Sequence, residues 1–227
     1  MILQLVTDRR RLVGSAHPSD TAETTCLIEQ ARHAVAAGVD IIQVRERDLE
    51  ARPLAALVSA ILEVTRGSAT RVVVNDRVDV ALATGAAGVH LRGDSFDARD
   101  VRTVAPRPFL IGRSIHTVAD VEGAGPVDYV IAGTVWPTVS KPGDRPLLGR
   151  DGLAAIARAA AVPVLAIGGI TPDRLSDVAA AGASGVAAIG LFMADGEGCR
   201  ACALHGLAQK FRATFGAVNM EPHSRNR

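Results

Sequence analysis

Aromatic side chains are almost missing from this chain. Phe, Tyr and Trp make up 3% of 227 residues, whereas hydrophobic residues make up 48%. The interior must therefore be filled by Ala, Val, Leu and Ile, which suits closely packed helices and buried strands. Cysteine is scarce too. The odd count of three (Cys26, Cys199 and Cys202) does not read as a disulfide framework. The one C-x-x-C, residues 199–202, lacks the second ligand pair of a structural zinc. Ala203 stands where a haem attachment needs His, and the pair lies far from the early βα turn of a thioredoxin-like fold. The expectation is two cysteines and His205 sharing one face of a final helix, in a reducing compartment.

Charge of one sign is also missing. The formal net charge is +1, so no concentrated positive surface announces a nucleic-acid or polybasic membrane partner. No apolar stretch reaches the ~18 residues of a spanning helix. Residues 1–11 run into Asp8, Arg9, Arg10 and Arg11 rather than following the order of a signal peptide. The expectation is a cytoplasmic protein with a small-molecule partner; a homodimer is left open.

What is present is alternation. Apolar runs at Ile2–Val6, Ile41–Val44, Val72–Val74, Gly88–Leu91, Phe109–Ile111, Tyr129–Ala132, Val162–Ile167 and Gly185–Ile189 have the length of buried parallel strands. Segments of helical spacing separate most of them, including Ala22–Ala37, Leu54–Arg66, Val78–Thr84, Leu153–Ala160 and Pro172–Ala180. Strand–helix alternation predicts parallel βαβ units. "AAGVDIIQV", "ATGAAGVHL" and "AAGASGVAAI" repeat one design, an Ala-rich helix end, a Gly cap and an apolar strand. Eight strands in a chain near the ~250 residues of a (β/α)₈ barrel predict an α/β fold of that kind, a TIM barrel. It should span residues 1–217 as one domain, with a disordered tail at 218–227. An open doubly wound sheet is the alternative, but no G-x-G-x-x-G follows the first strand.

In such a barrel, polar residues at the C-terminal strand ends surround the active site. "AIGGITPD" ends a strand with Gly168 and Gly169 and should start a helix with Thr171 as N-cap and Pro172 at its first position. Gly190 closes the next strand. Bare backbone beside helix N-termini predicts a phosphate site there. Gln43, Arg45 and Arg47 alternate along an extended segment and point one way. They could clamp an anion or join an ion network with Glu46 or Asp48. Asn75 could orient a ligand, and Asp76 could cap the next helix. His90, in an apolar strand, reads as a hydrogen-bonded core histidine. His116, past a strand end beside Ser114, is placed to move a proton. Thr138, Ser140 and Lys141 lie in the long 134–149 loop, as an anion-binding lid would.

At these residues the sequence resembles the thiamine phosphate synthase / TenI family. "QVRER", "VNDRVDVAL", "GVHL", "IGRSIHT", "DYVIAGTVWPTVSK", "VPVLAIGGITPDRL" and "GASGVAAIG" occur in family order over about residues 1–213. The resemblance implies a barrel that binds the phosphate of a thiazole compound. In the synthase branch the thiazole nitrogen displaces pyrophosphate from a pyrimidine methyl diphosphate, with Mg²⁺. In the TenI branch a thiazole phosphate carboxylate is isomerised by proton transfer, without metal.

Three positions depart from the synthase pattern. Arg47 stands where it has Lys, Ser95 where it has a metal-binding Asp (Asp94 is one earlier), and Gly190 where it has Ser. "RER", "GDSF", "IGRSIH" and "TPDRL" look like the TenI branch, and His116 matches its proton-transferring histidine. "TVSK" keeps the synthase loop pattern. The expectation is a TenI-like thiazole tautomerase without a cofactor, with His116 and Ser114 catalytic. The alternatives are a synthase with Mg²⁺ on Asp76 and Asp94, and a non-catalytic binding protein.

Overall fold

In the computed structural model the eight apolar runs close on one another. The structure describes residues 1–13, 19–138, 146–193 and 204–218. The strands are β1 (Ile2–Val6), β2 (Ile41–Val44), β3 (Arg71–Asn75), β4 (Gly88–Leu91), β5 (Leu110–Ile115), β6 (Tyr129–Gly133), β7 (Val164–Ile167) and β8 (Gly185–Ala188). All neighbours are parallel, and β8 returns to β1 with Leu3 opposite Val186, so the sheet has no edge. This is the expected eight-stranded TIM barrel.

Helices α1 (Arg9–Leu12), α2 (Asp20–Ala36), α3 (Ala51–Thr65), α4 (Val78–Thr84), α5 (Ala98–Val104), α6 (Val118–Glu122), α7 (Gly149–Ala159), α8 (Leu175–Ala180) and α9 (Leu204–Val218) follow the strands. The repeated glycine is used as read. Gly38, Gly85 and Gly182 have φ of 72°, 73° and 83°, the left-handed cap that turns each helix into the next strand. Pro172 departs from expectation. It opens a 3₁₀ turn (Pro172–Arg174) that leads into α8, and the Thr171 side chain makes no capping bond.

Two layers of apolar packing result. Outward residues such as Leu3, Leu5, Ile42, Val72 and Val74 pack under the helices. Inward residues Val6, Ile41, Val73, Tyr129, Ile131, Leu165 and Ala187 fill the barrel, the alternation that pleated strands impose. Gly112 makes this filling feasible. A Cβ there would stand 2.2 Å from Tyr129 Cζ and 2.6 Å from His90 Nδ1.

Three observations concern the ends of the chain and its cysteines. Cys26, buried on α2, is disulfide-bonded, which the odd count and the spacing did not predict. Cys199 and Cys202 lie outside the described residues, as does 219–227. No helix among the described residues is long and apolar enough to cross a membrane.

Candidate active site

A cleft of about 1330 Å³ opens at the C-terminal ends of the strands. That is ample for a small phosphorylated heterocycle. Its floor is polar. Gln4 Nε2 donates to Gln43 Oε1 at 2.7 Å, and Gln43 Nε2 donates to Asn75 Oδ1 at 2.9 Å. Gln4 and Gln43 are buried, so this amide chain orients Asn75 at the cleft with little freedom.

Across the floor, His90 Nε2 and Ser114 Oγ are 2.9 Å apart. Ser114 was expected beyond the strand, but β5 runs to Ile115, so Ser114 lies within it beside His90. His90 is the core histidine that was read from its strand. Burial drops its pKa to about 3, so it stays neutral, and its Nδ1 has no partner.

His116 lies just past β5, where the strand alternation that turns Gly112 and Ser114 inward carries into the cleft. Its backbone N–H donates to Asp120 Oδ2 at 2.7 Å, and Thr117 and Asp120 form a capping box at the start of α6. Burial pushes the Asp120 carboxyl up, but the hydrogen bonds from His116 and Thr117 outweigh it and hold the group below the usual range. The imidazole Nδ1 is hydrogen-bonded to the Gly133 carbonyl. A carbonyl only accepts, so Nδ1 is the donor in this contact and Nε2 is left unused by it.

Cations converge from the β1 and β2 ends. Arg11, Arg45 and Arg47 all line the cleft. Burial lowers the pKa of Arg45, and the Arg47 charge adds to the effect, so a bound anion would relieve the repulsion between them. Among the described residues no ion pair joins Arg45 or Arg47 to Glu46 or Asp48, and Glu46 acts on Arg45 only through its charge. Those carboxylates turn to Arg9, which is buried and meets Glu23 at 2.9 Å, Glu46 at 3.2 Å and Asp48 at 2.7 Å. Thr7 Oγ1 donates to Glu46 at 2.6 Å and accepts from the Arg45 backbone at 2.9 Å. The network thus fixes the backbone that carries Arg45 and Arg47.

The glycines are explained first by packing. A Cβ on Gly168 would be 2.4 Å from Thr134 Cγ2, and one on Gly169 would be 2.6 Å from the Pro137 carbonyl. The cleft wall there is Ile167 and Ile189, the residues just before Gly168 and Gly190. The Arg11 guanidinium reaches 3.4 Å from where a Gly190 Cβ would stand. Arg11 was missed as a site residue. Its signal was the "DRRR" run directly after β1, a strand end like the others.

Asp76 does not cap α4, whose N-cap is Arg77. It has φ 62° and pairs with Arg92, as does Asp94. Asp94 and Arg92 both line the cleft. Two carboxylates facing a guanidinium do not fit Mg²⁺, which needs several hard oxygens in near-octahedral array. Among the described residues no group of three His, Cys, Asp or Glu converges. Thr138 ends the described part of its loop, and Ser140 and Lys141 lie outside the described residues.

Comparison with known proteins decides the family. A family profile described as "Thiamine monophosphate synthase" (TMP-TENI) matches residues 13–192. The chain belongs to that family. It is 41% identical over 172 residues to a thiamine-phosphate synthase of Methanoculleus marisnigri, covering 74% of this chain and 80% of that one. It is 43% identical over 163 residues to the thiamine-phosphate synthase of Methanoregula boonei, covering 71% and 76%. Among solved structures, thiamine phosphate pyrophosphorylase from Pyrococcus furiosus matches with a TM-score of 0.77 at 29% identity, covering 96% of each chain. A 3-hexulose-6-phosphate synthase at 20% identity and TM-score 0.64 shares the fold alone. The relatives carry the synthase name, so membership in the family stands, and the TenI branch within it is not shown by them.

Proposed function

We propose that this member of the family is a thiazole tautomerase, which isomerises a thiazole phosphate carboxylate by moving one proton. The observation that carries the reading is His116. Its Nδ1 is tied to the Gly133 carbonyl, which leaves Nε2 to take a proton from one ring position and return it at another. Ser114 is the second catalytic candidate beside it. The thiazole phosphate would lie against the turn amides next to Gly168, Gly169 and Gly190, near Arg11. Arg45 and Arg47 would face the carboxylate, and Gln43 and Asn75 would orient the ring. Thr138, Ser140 and Lys141 would approach from the loop side. Arg47, Ser95 and Gly190 at three synthase positions support this choice, and no metal takes part in it.

The names of the relatives favour a second reading, thiamine-phosphate synthase, which joins a pyrimidine methyl diphosphate to thiazole phosphate with Mg²⁺. Proton exchange followed by NMR in deuterated buffer separates the two. Wild type should isomerise the thiazole, and His116→Ala should be slower by about 10²–10⁴-fold. Equal rates would remove His116 from the mechanism. Thiamine phosphate formation at ordinary enzyme rates, lost in EDTA, would replace the tautomerase by the synthase.

A further inference from the structure

The two carboxylates that a magnesium site would use share their end of the cleft with a guanidinium. Arg92 follows β4, and its Nε stands 3.4 Å from Asp76 Oδ2 and 3.0 Å from Asp94 Oδ1. Its Nη2 donates to Asp94 Oδ2 at 3.1 Å. Nε itself is buried and aligned for a hydrogen bond with neither acid, so it meets both by charge while Nη2 makes the hydrogen bond.

Both sides of the contact are pinned. The Asp76 N–H donates to the His90 carbonyl at 2.9 Å, which fixes the end of β3 against β4. Arg113 donates to the Gly93 and Phe96 carbonyls at 3.1 and 2.9 Å, which fixes the loop that carries Asp94. Residue 95, at the next position, is a serine and adds no carboxylate. A divalent cation entering here would meet a fixed positive charge and two acids already engaged. Like charges at such separations repel, and solvent screens only the exposed part of the Arg92 side chain.

We propose that Arg92 is the resident counter-ion of the Asp76–Asp94 pair. Its own charge takes the ground a divalent cation would need, so the cleft works without such a metal and becomes a metal site only when the guanidinium is removed. The proposal concerns the same cleft as the tautomerase reading but does not depend on turnover.

Titration of the full chain with Mn²⁺, followed by electron paramagnetic resonance at neutral pH, tests it. Wild type should leave Mn²⁺ free into the low-millimolar range. Arg92→Gly should bind it tighter by about tenfold or more, and Asp76→Asn added to Arg92→Gly should abolish the gain. Tight Mn²⁺ binding by wild type overturns the proposal. So do identical isotherms for wild type and Arg92→Gly, or a gain that survives Asp76→Asn. Absence of proton exchange would sink the tautomerase reading and leave these isotherms as they are.

Discussion

Replacing Arg9 with Met should destabilise this protein more than almost any other single change. The guanidinium meets Glu23, Glu46 and Asp48, and Arg9, Glu23 and Glu46 are each 5% exposed or less. Met keeps much of the side-chain length but none of the charge, so Glu23 and Glu46 are left buried without their counter-ion. Breaking a buried pair by removing one partner costs about 3–5 kcal/mol, against a total stability of roughly 5–15 kcal/mol. With a urea slope of about 2 kcal/mol per M, the midpoint should fall by about 2 M.

The loss should also depend on pH. In wild type, Arg9 above all holds the Asp48 carboxyl at about 2, below its unfolded value of ~3.9. That stabilisation is present above the unfolded value and is lost as pH falls towards 2. Burial already pushes Glu46 upward in wild type, against the hydrogen bonds from Thr7 and Arg9. Without Arg9 its folded value rises further. A raised acid stabilises below its unfolded pKa and ceases to as pH climbs through its folded value. The gap between variant and wild type should therefore narrow from pH 7 to pH 5. Urea melts of both proteins at the two pH values measure it. A loss under about 1 kcal/mol, or an equal gap at both pH values, would refute the idea that the cluster acts through buried charge.

Two further outcomes follow from local geometry. Gly112→Ala should lower stability by about 1–3 kcal/mol or more, read by thermal melting, because its methyl would overlap Tyr129 and His90 inside the barrel. Asp120→Ala should cost about 0.5–2 kcal/mol through the lost capping box. Its folded carboxyl lies below the unfolded value, so that contribution is present above ~4 and lost on acidification, and melts of wild type and variant should converge in acid.

Much of the barrel was legible because it rests on local chemistry. β1, β2 and β4 match their apolar runs to the residue, and Gly38, Gly85 and Gly182 take the left-handed caps that the repeat implied. Gln43, Arg45 and Arg47 line the cleft as expected, although β2 ends at Val44 and Arg47 sits in the turn beyond it. Where the reading failed, the missing information was a partner distant in the chain. β5 was drawn too short because Gly112 and Ser114 look like a turn until Tyr129 and His90 are placed beside them. Gly168 and Gly169 were read as a phosphate cradle, and the contacts with Thr134 and Pro137 that add a packing reason for them were not visible in the sequence. Asp76 and Asp94 were read together as magnesium ligands of the synthase alternative, and Arg92, which pairs with both, was not singled out.

Composition, alternation and glycine spacing thus determined the barrel, the mouth at which chemistry occurs, and most of the polar residues around it. Those signals act over a turn or a strand, and the backbone reads them one segment at a time. The tertiary structure alone decided which charges neutralise one another. Arg9 and Glu46 are 37 residues apart in sequence, and Arg92 and Asp76 are 16 apart. Electrostatic pairing depends on distance through space and on burial, and neither exists until the strands have closed.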